Sequence, residues 1–166
     1  DQLDHICKSP SPWIFVCLSA FIDFLSQMED PHQSNIRQRY INFISKWYPA
    51  KYRNFTYRNG NTDLAEQMYV ILRSGLVHSF SLTPDPNRPG TSGRWRSLYL
   101  AHQASGLKHL GRADKSLGID AAILIAEEFL QDTKNVAKRL IRKARRNRSL
   151  RQNIIYFLTN QPPIAG

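Results

Sequence analysis

Apolar residues recur at intervals of three and four in several stretches of this chain, and that period belongs to helices with one buried face. The first stretch covers residues 12 to 28, where Trp13, Val16, Cys17, Ala20, Phe21, Phe24, Leu25 and Met28 share a stripe. Ser11-Pro12 opens it, an N-cap residue followed by a residue suited to the first turn. A second stretch, residues 34 to 48, carries Ile36, Tyr40, Phe43, Ile44 and Trp47 on one face and ends at Pro49. A third begins at Thr62 or Asp63 with "TDLAE", which resembles a capping box, and continues through Leu64, Met68, Ile71, Leu72, Gly75 and Leu76. A long stripe from Ile119 or Asp120 to about Arg145 makes the last long helix, and residues 149 to 159 extend it or turn back.

Between the third and fourth helices the pattern breaks. Residues 81 to 94, "SLTPDPNRPGTSGR", contain three prolines and two glycines, so no helix runs through them. Their flanks, "LVHSFSL" and "WRSLYLAH", alternate in the manner of a short hairpin. Residues 50 to 62 form a polar loop with an Asn-Gly turn, and its "KYRNFTYR" offers aromatic rings and cations to unpaired bases. The expected architecture is an all-α helical bundle of four to five helices, with a long Pro/Gly-rich insertion before the last long helix. The 166 residues suit a single domain, residues 1 to 166.

Charge narrows the partners. The formal net charge is +10, from 23 Lys and Arg against 13 Asp and Glu. Residues 134 to 151 hold nine Lys or Arg and no acid. Such a run favours polyanions and reads as an RNA-binding surface through Lys134, Lys138, Arg139, Arg142, Lys143, Arg145 and Arg146. The longest apolar run falls short of a membrane span, and Asp23 interrupts it. Cys7 and Cys17 form neither a zinc motif nor a disulfide framework, so a reducing, cytoplasmic setting without a metal or cofactor is expected. "SGLKHLGR" at residues 105 to 112 is not a P-loop, and His5, His32, His102 and His109 have no ligand-spaced partners in sequence.

The third helix ends in "LRSGLVHSF". Arginine and histidine are a sufficient pair for cutting RNA without metal, because RNA supplies its own nucleophile, the 2′-hydroxyl. Histidine moves protons near neutral pH, and arginine neutralises the phosphate with a planar fork. The arrangement R-x4-H near a helix end, here Arg73-Ser74-Gly75-Leu76-Val77-His78, resembles the HEPN superfamily. The frame "DLAEQMYVILRSGLVHSF" is similar to the helix of HEPN-type proteins that runs into "LR-x-G-L-x-H".

The resemblance implies a helical bundle, a homodimer and a metal-independent endoribonuclease of bacterial or antiviral defence or a toxin–antitoxin module. It also implies an antitoxin or regulatory partner. Arg73 would bind the scissile phosphate, His78 would be the general acid or base, and Ser74 would orient the phosphate. Arg96 and His102 also fit the R-x(4–6)-H spacing and stay open as the functional pair. Two other functions remain: a non-catalytic nucleic-acid-binding domain and a protein-interaction module.

Overall fold

The computed structural model describes residues 13–58, 63–76, 97–113 and 120–160. Helix α1 spans Trp13–Glu29, α2 Ile36–Trp47, α3 Ala50–Arg53 and α4 Leu64–Met68. A π-helix, Tyr69–Leu76, continues α4. Strand β1 covers Ser97–Ala101 and β2 covers Ala121–Ile125, followed by α5, Ala126–Arg146, and α6, Arg148–Thr159.

Local chemistry sets the helix ends. The Asn35 side chain accepts the Gln38 amide and caps α2, and Tyr48 leaves the helix in an extended conformation ahead of Pro49. Asp63 caps α4 by accepting the Ala65 amide. The expected capping box does not close that way, because Glu66 is ion-paired with Arg37 of α2. Asn147 serves two helices: its amide donates to Lys143 at the end of α5, and its side chain accepts from Leu150 at the start of α6. The last segment is therefore a separate helix, turned at Asn147.

The core is built on aromatic rings. Phe129 of α5 is fully buried and lies 6.4 Å from Phe15, 6.2 Å from Tyr48 and 6.4 Å from Tyr52, centroid to centroid. The α5 residues turned inward are Phe129, Leu130, Thr133, Val136, Leu140 and Ala144, the single stripe of an amphipathic helix. Helix α6 packs back on α1, with Phe157 edge-on to Phe24 at 5.3 Å. Cys17 is half-buried on α1 rather than fully enclosed.

The chain is mostly helical but is not all-α. Residues 121 to 125, expected at the start of the long helix, form β2 and pair in parallel with β1, Ser97 opposite Ala121 through Ala101 opposite Ile125. The run "AAILI" is buried at every position, and a strand covered on both faces has no polar alternation to mark it. The expected hairpin falls largely outside the described residues. Ser97–Ala101 pairs with β2, while the other flank is π-helical as far as Leu76 and then passes outside the described residues. Ile123 of β2 also accepts from Leu110 at 2.7 Å and donates to Gly111 at 2.9 Å. Among the described residues, no helix is long and apolar enough to cross a membrane.

Candidate nucleic-acid interface and the Arg73 site

Arg73 sits in the last turns of the π-helix, where hydrogen bonds run i→i+5 rather than i→i−4 as in an α-helix. The wider turn brings residues five apart nearer to one direction than an α-helix does. On an α-helix the same spacing would separate them by about 140°. Ser74 and Gly75 are half-buried beside Arg73. His78 lies outside the described residues, as does Arg96 of the alternative pair.

The Arg73 guanidinium is held by Asp23, which interrupts the apolar run of α1. Its Nε and Nη2 donate to Asp23 Oδ2 at 3.2 and 3.1 Å. Arg39 of α2 approaches the other carboxylate oxygen at 3.6 Å, and its Nη1 donates to the Gln33 carbonyl at 2.9 Å. Asp23 is 8% exposed and Arg39 9%, so this is an internal charge cluster that ties three elements together. Tyr40 lies against it, bonded to Ser19 at 3.3 Å. Burial pushes the Tyr40 hydroxyl well up; the Ser19 hydrogen bond offsets part of this, and the Asp23 charge adds to it.

A second polar cluster is centred on His109. The Ile125 amide donates to His109 Nδ1 at 3.0 Å, so the ring N–H is Nε2, which faces the Tyr52 hydroxyl at 3.0 Å. Tyr52 in turn donates to Asp132 Oδ2 at 3.0 Å, and Lys51 reaches the same oxygen at 2.7 Å. Burial pushes the Asp132 carboxyl up, but His109, whose Nε2 is 3.6 Å away, together with Lys51 and the Tyr52 hydrogen bond outweigh it and hold the group below its ordinary value. For Tyr52, burial and then the Asp132 charge push the hydroxyl up. This cluster joins α3, α5 and the segment before β2. His109 is 5% exposed, which suits a fixed internal hydrogen-bonding group. His102, the histidine of the alternative pair, follows β1 with Nδ1 3.4 Å from Glu127 Oε1.

The rings of "KYRNFTYR" do not stand out for stacking. Tyr52, Phe55 and Tyr57 are 1%, 9% and 3% exposed, so they belong to the core, and Lys51, Arg53, Asn54, Thr56 and Arg58 are the residues of that loop that reach solvent.

The basic segment is a real surface. On α5, Lys138, Arg139, Arg142, Lys143, Arg145 and Arg146 are exposed opposite the buried stripe, and Arg148 and Arg151 of α6 continue the face. Lys134 is half-buried and engaged at the edge of this face. Arg139 is shared, since it donates to the Trp47 carbonyl and lies 5.4 Å over the Trp47 ring. Among the described residues, no cluster of three or more His, Cys, Asp or Glu could hold a metal ion.

Sequence reasoning missed Asp23 as the partner of the motif arginine and Arg39 as the second cation on that carboxylate. One sign was available, the acidic residue Asp23 inside the longest apolar run. Comparison with protein-family models, curated proteins and solved structures finds no match.

Proposed function

We propose that the protein is a metal-independent endoribonuclease that cuts RNA at Arg73 and His78 and holds it on the cationic face of α5 and α6. The observation that carries this reading is the π-helix under the motif. Such winding is rare, is usually limited to a single turn and recurs at functional sites. Here it spans Tyr69–Leu76 and contains Arg73, Ser74 and Gly75 of the motif. The resemblance of "LRSGLVH" to HEPN-type motifs points the same way.

In this reading the substrate 2′-hydroxyl attacks the adjacent phosphorus, and the bond to the 5′-oxygen breaks. The products are a 2′,3′-cyclic phosphate and a free 5′-hydroxyl. His78 transfers the proton to or from the reacting oxygens. Arg73 neutralises the charge that builds on the phosphoryl oxygens, with its guanidinium oriented by Asp23. Ser74 hydrogen-bonds the phosphate. The α5 cations hold the flanking backbone, and a homodimer would set two motifs at one cleft. A role in bacterial defence or a toxin module, with a regulatory partner, follows from the resemblance alone.

The test is cleavage of RNA in EDTA by the wild type, His78→Ala and His102→Ala. We expect cyclic-phosphate ends from the wild type and His102→Ala, and none from His78→Ala. Loss of cleavage in His102→Ala with activity kept in His78→Ala would move the site to the second pair.

One observation favours a second reading. The Asp23 ion pair gives Arg73 a structural job in the core, which a non-catalytic RNA-binding domain would keep. Tight, salt-sensitive RNA binding without cleavage would establish that reading.

A further inference from the structure

A polar groove lies beside the cationic face, where the α5–α6 elbow meets α2 and the end of α1. It consists of two adjoining cavities of about 650 and 170 Å³ that share Glu29, Lys46 and Asn153. The larger falls within the roughly 300–1,000 Å³ typical of small-ligand sites. We infer that this groove binds one nucleotide of the RNA, with its phosphate at the elbow and an amino-bearing base toward Asp30. The RNA part of this inference rests on the function proposed above.

The phosphate end follows from charge and helix geometry. Trp47 lines the smaller cavity, and three cations gather round its ring: Lys143 at 5.1 Å, Arg139 at 5.4 Å and Lys46 at 6.0 Å. Lys46 is paired with Glu29 and Arg139 with the Trp47 carbonyl. Lys143 has no carboxylate partner among the described residues. Crowded like charges lower the cost of bringing in an anion. The same cavity is lined by Asn147, Ser149 and Leu150, the first turn of the 12-residue helix α6. Amides of a helix first turn lack intrahelical acceptors and attract phosphate, although the Leu150 amide is already taken by the Asn147 side chain. The Trp47 Nε1 is a further donor without an acceptor, in a residue that is 3% exposed.

The base end follows from the opposite charge. The larger cavity is lined by Asp30, Asn42 and Ser45 together with the shared residues. Asp30 has no cationic partner among the described residues, so its carboxylate is an acceptor. Carboxylates accept from exocyclic amino groups such as cytosine N4. Uracil has no amino group to offer. Asn42 Oδ1 already accepts from Gln38 at 2.8 Å, which turns its amide N–H groups to other acceptors. Glu29 lines both ends, whereas a phosphate at this end would meet Asp30 as well, which fixes the nucleotide's direction.

The experiment is calorimetric titration of the whole chain with cytidine and uridine 5′-monophosphates, beside anisotropy with a short single-stranded oligoribonucleotide. The variants are Lys143→Ala, Asp30→Asn and, as a cation off the groove, Arg142→Ala. We expect the cytidine nucleotide to bind more tightly than the uridine one. Lys143→Ala should weaken both about tenfold, the loss of one hydrogen bond to a charged group. Asp30→Asn should erase the preference, and Arg142→Ala should leave mononucleotide binding within about threefold. Equal binding of the two nucleotides with no effect of Asp30→Asn overturns the base assignment. Lys143→Ala behaving like Arg142→Ala overturns the phosphate assignment. If the protein binds the oligonucleotide but neither mononucleotide, and the groove variants change nothing, the groove fails while RNA binding stands. If it binds the cytidine nucleotide but no oligonucleotide, the groove stands and the RNA reading fails.

Discussion

Arg73 and Asp23 are 50 positions apart in sequence, and the arginine puts two nitrogens, at 3.2 and 3.1 Å, on one oxygen of the aspartate. The pair links the middle of α1 to the π-helix. It gives the motif arginine a fixed origin, and it places a carboxylate where α1 would otherwise be apolar.

Removing that carboxylate leaves two guanidinium groups facing the interior without compensation. Breaking a buried pair from one side costs roughly 3–5 kcal/mol. Asp23→Ala is expected to lower stability by about 3 kcal/mol in urea denaturation, the low end because the Arg73 side chain retains 21% exposure. A change under about 0.5 kcal/mol would show that the cluster does not hold the helices together.

Arg73→Lys separates charge from geometry. Lysine keeps the positive charge but has no planar fork to span Asp23 and a phosphate. We expect RNA binding to persist and cleavage to fall at least tenfold. Full cleavage by this variant would mean that the fork is not used.

Asp132 makes stability depend on pH at the acid end. Its folded value lies below the ordinary 3.8, so its contribution is complete above that value and is lost as pH falls through the folded one. Stability of the wild type is expected to decline in this acid window, and Asp132→Asn to flatten that part of the curve. Thermal melts between about pH 2 and 6 read the difference. Tyr52→Phe removes the hydroxyl that bridges His109 and Asp132 and should cost about 1–2 kcal/mol.

Phe129→Ala opens the aromatic core where four rings meet. The expected cost is about 3–5 kcal/mol, measured by chemical denaturation. A loss below about 1 kcal/mol would mean that the neighbouring rings collapse into the space.

The cationic face sets the salt dependence of RNA affinity. Replacing Lys138, Arg142 and Arg145 together by alanine should reduce the slope of log affinity against log salt by about 2, near 0.7 per lost phosphate contact on a single strand. An unchanged slope would exclude this face from the complex.

The stripes of α2 and α5 were legible in the amino-acid sequence, because a period of three to four needs only local information, whereas on α1 the buried face is Ile14, Phe15, Leu18 and Ile22, and Trp13, Ala20 and Phe24 of the expected stripe are exposed. Trp47, Phe43 and Tyr40 on α2 and the stripe of α5 from Phe129 to Ala144 lie where their spacing predicts. The exposed cationic face was legible for the same reason, since charges opposite a buried stripe must face solvent. Strand β2 was not, because its five residues are covered on both faces and carry no alternation. The rings of "KYRNFTYR" looked available in a polar loop, and only the packing of Tyr52 against Tyr48 and Phe129 shows them buried.

Spacing alone could not choose between Arg73 and Arg96, nor foresee Asp23. A residue's periodicity reports which side of its own element is covered, whereas ion pairs such as Asp23–Arg73 and hydrogen bonds such as Tyr52–His109 join residues 50 and 57 positions apart. Those partners are chosen by how the helices cross. The π winding at Arg73 was not legible either: "YVILRSGL" has the apolar spacing of an ordinary helix, and only the folded chain, in which it packs against α1 and α2, shows the wider winding.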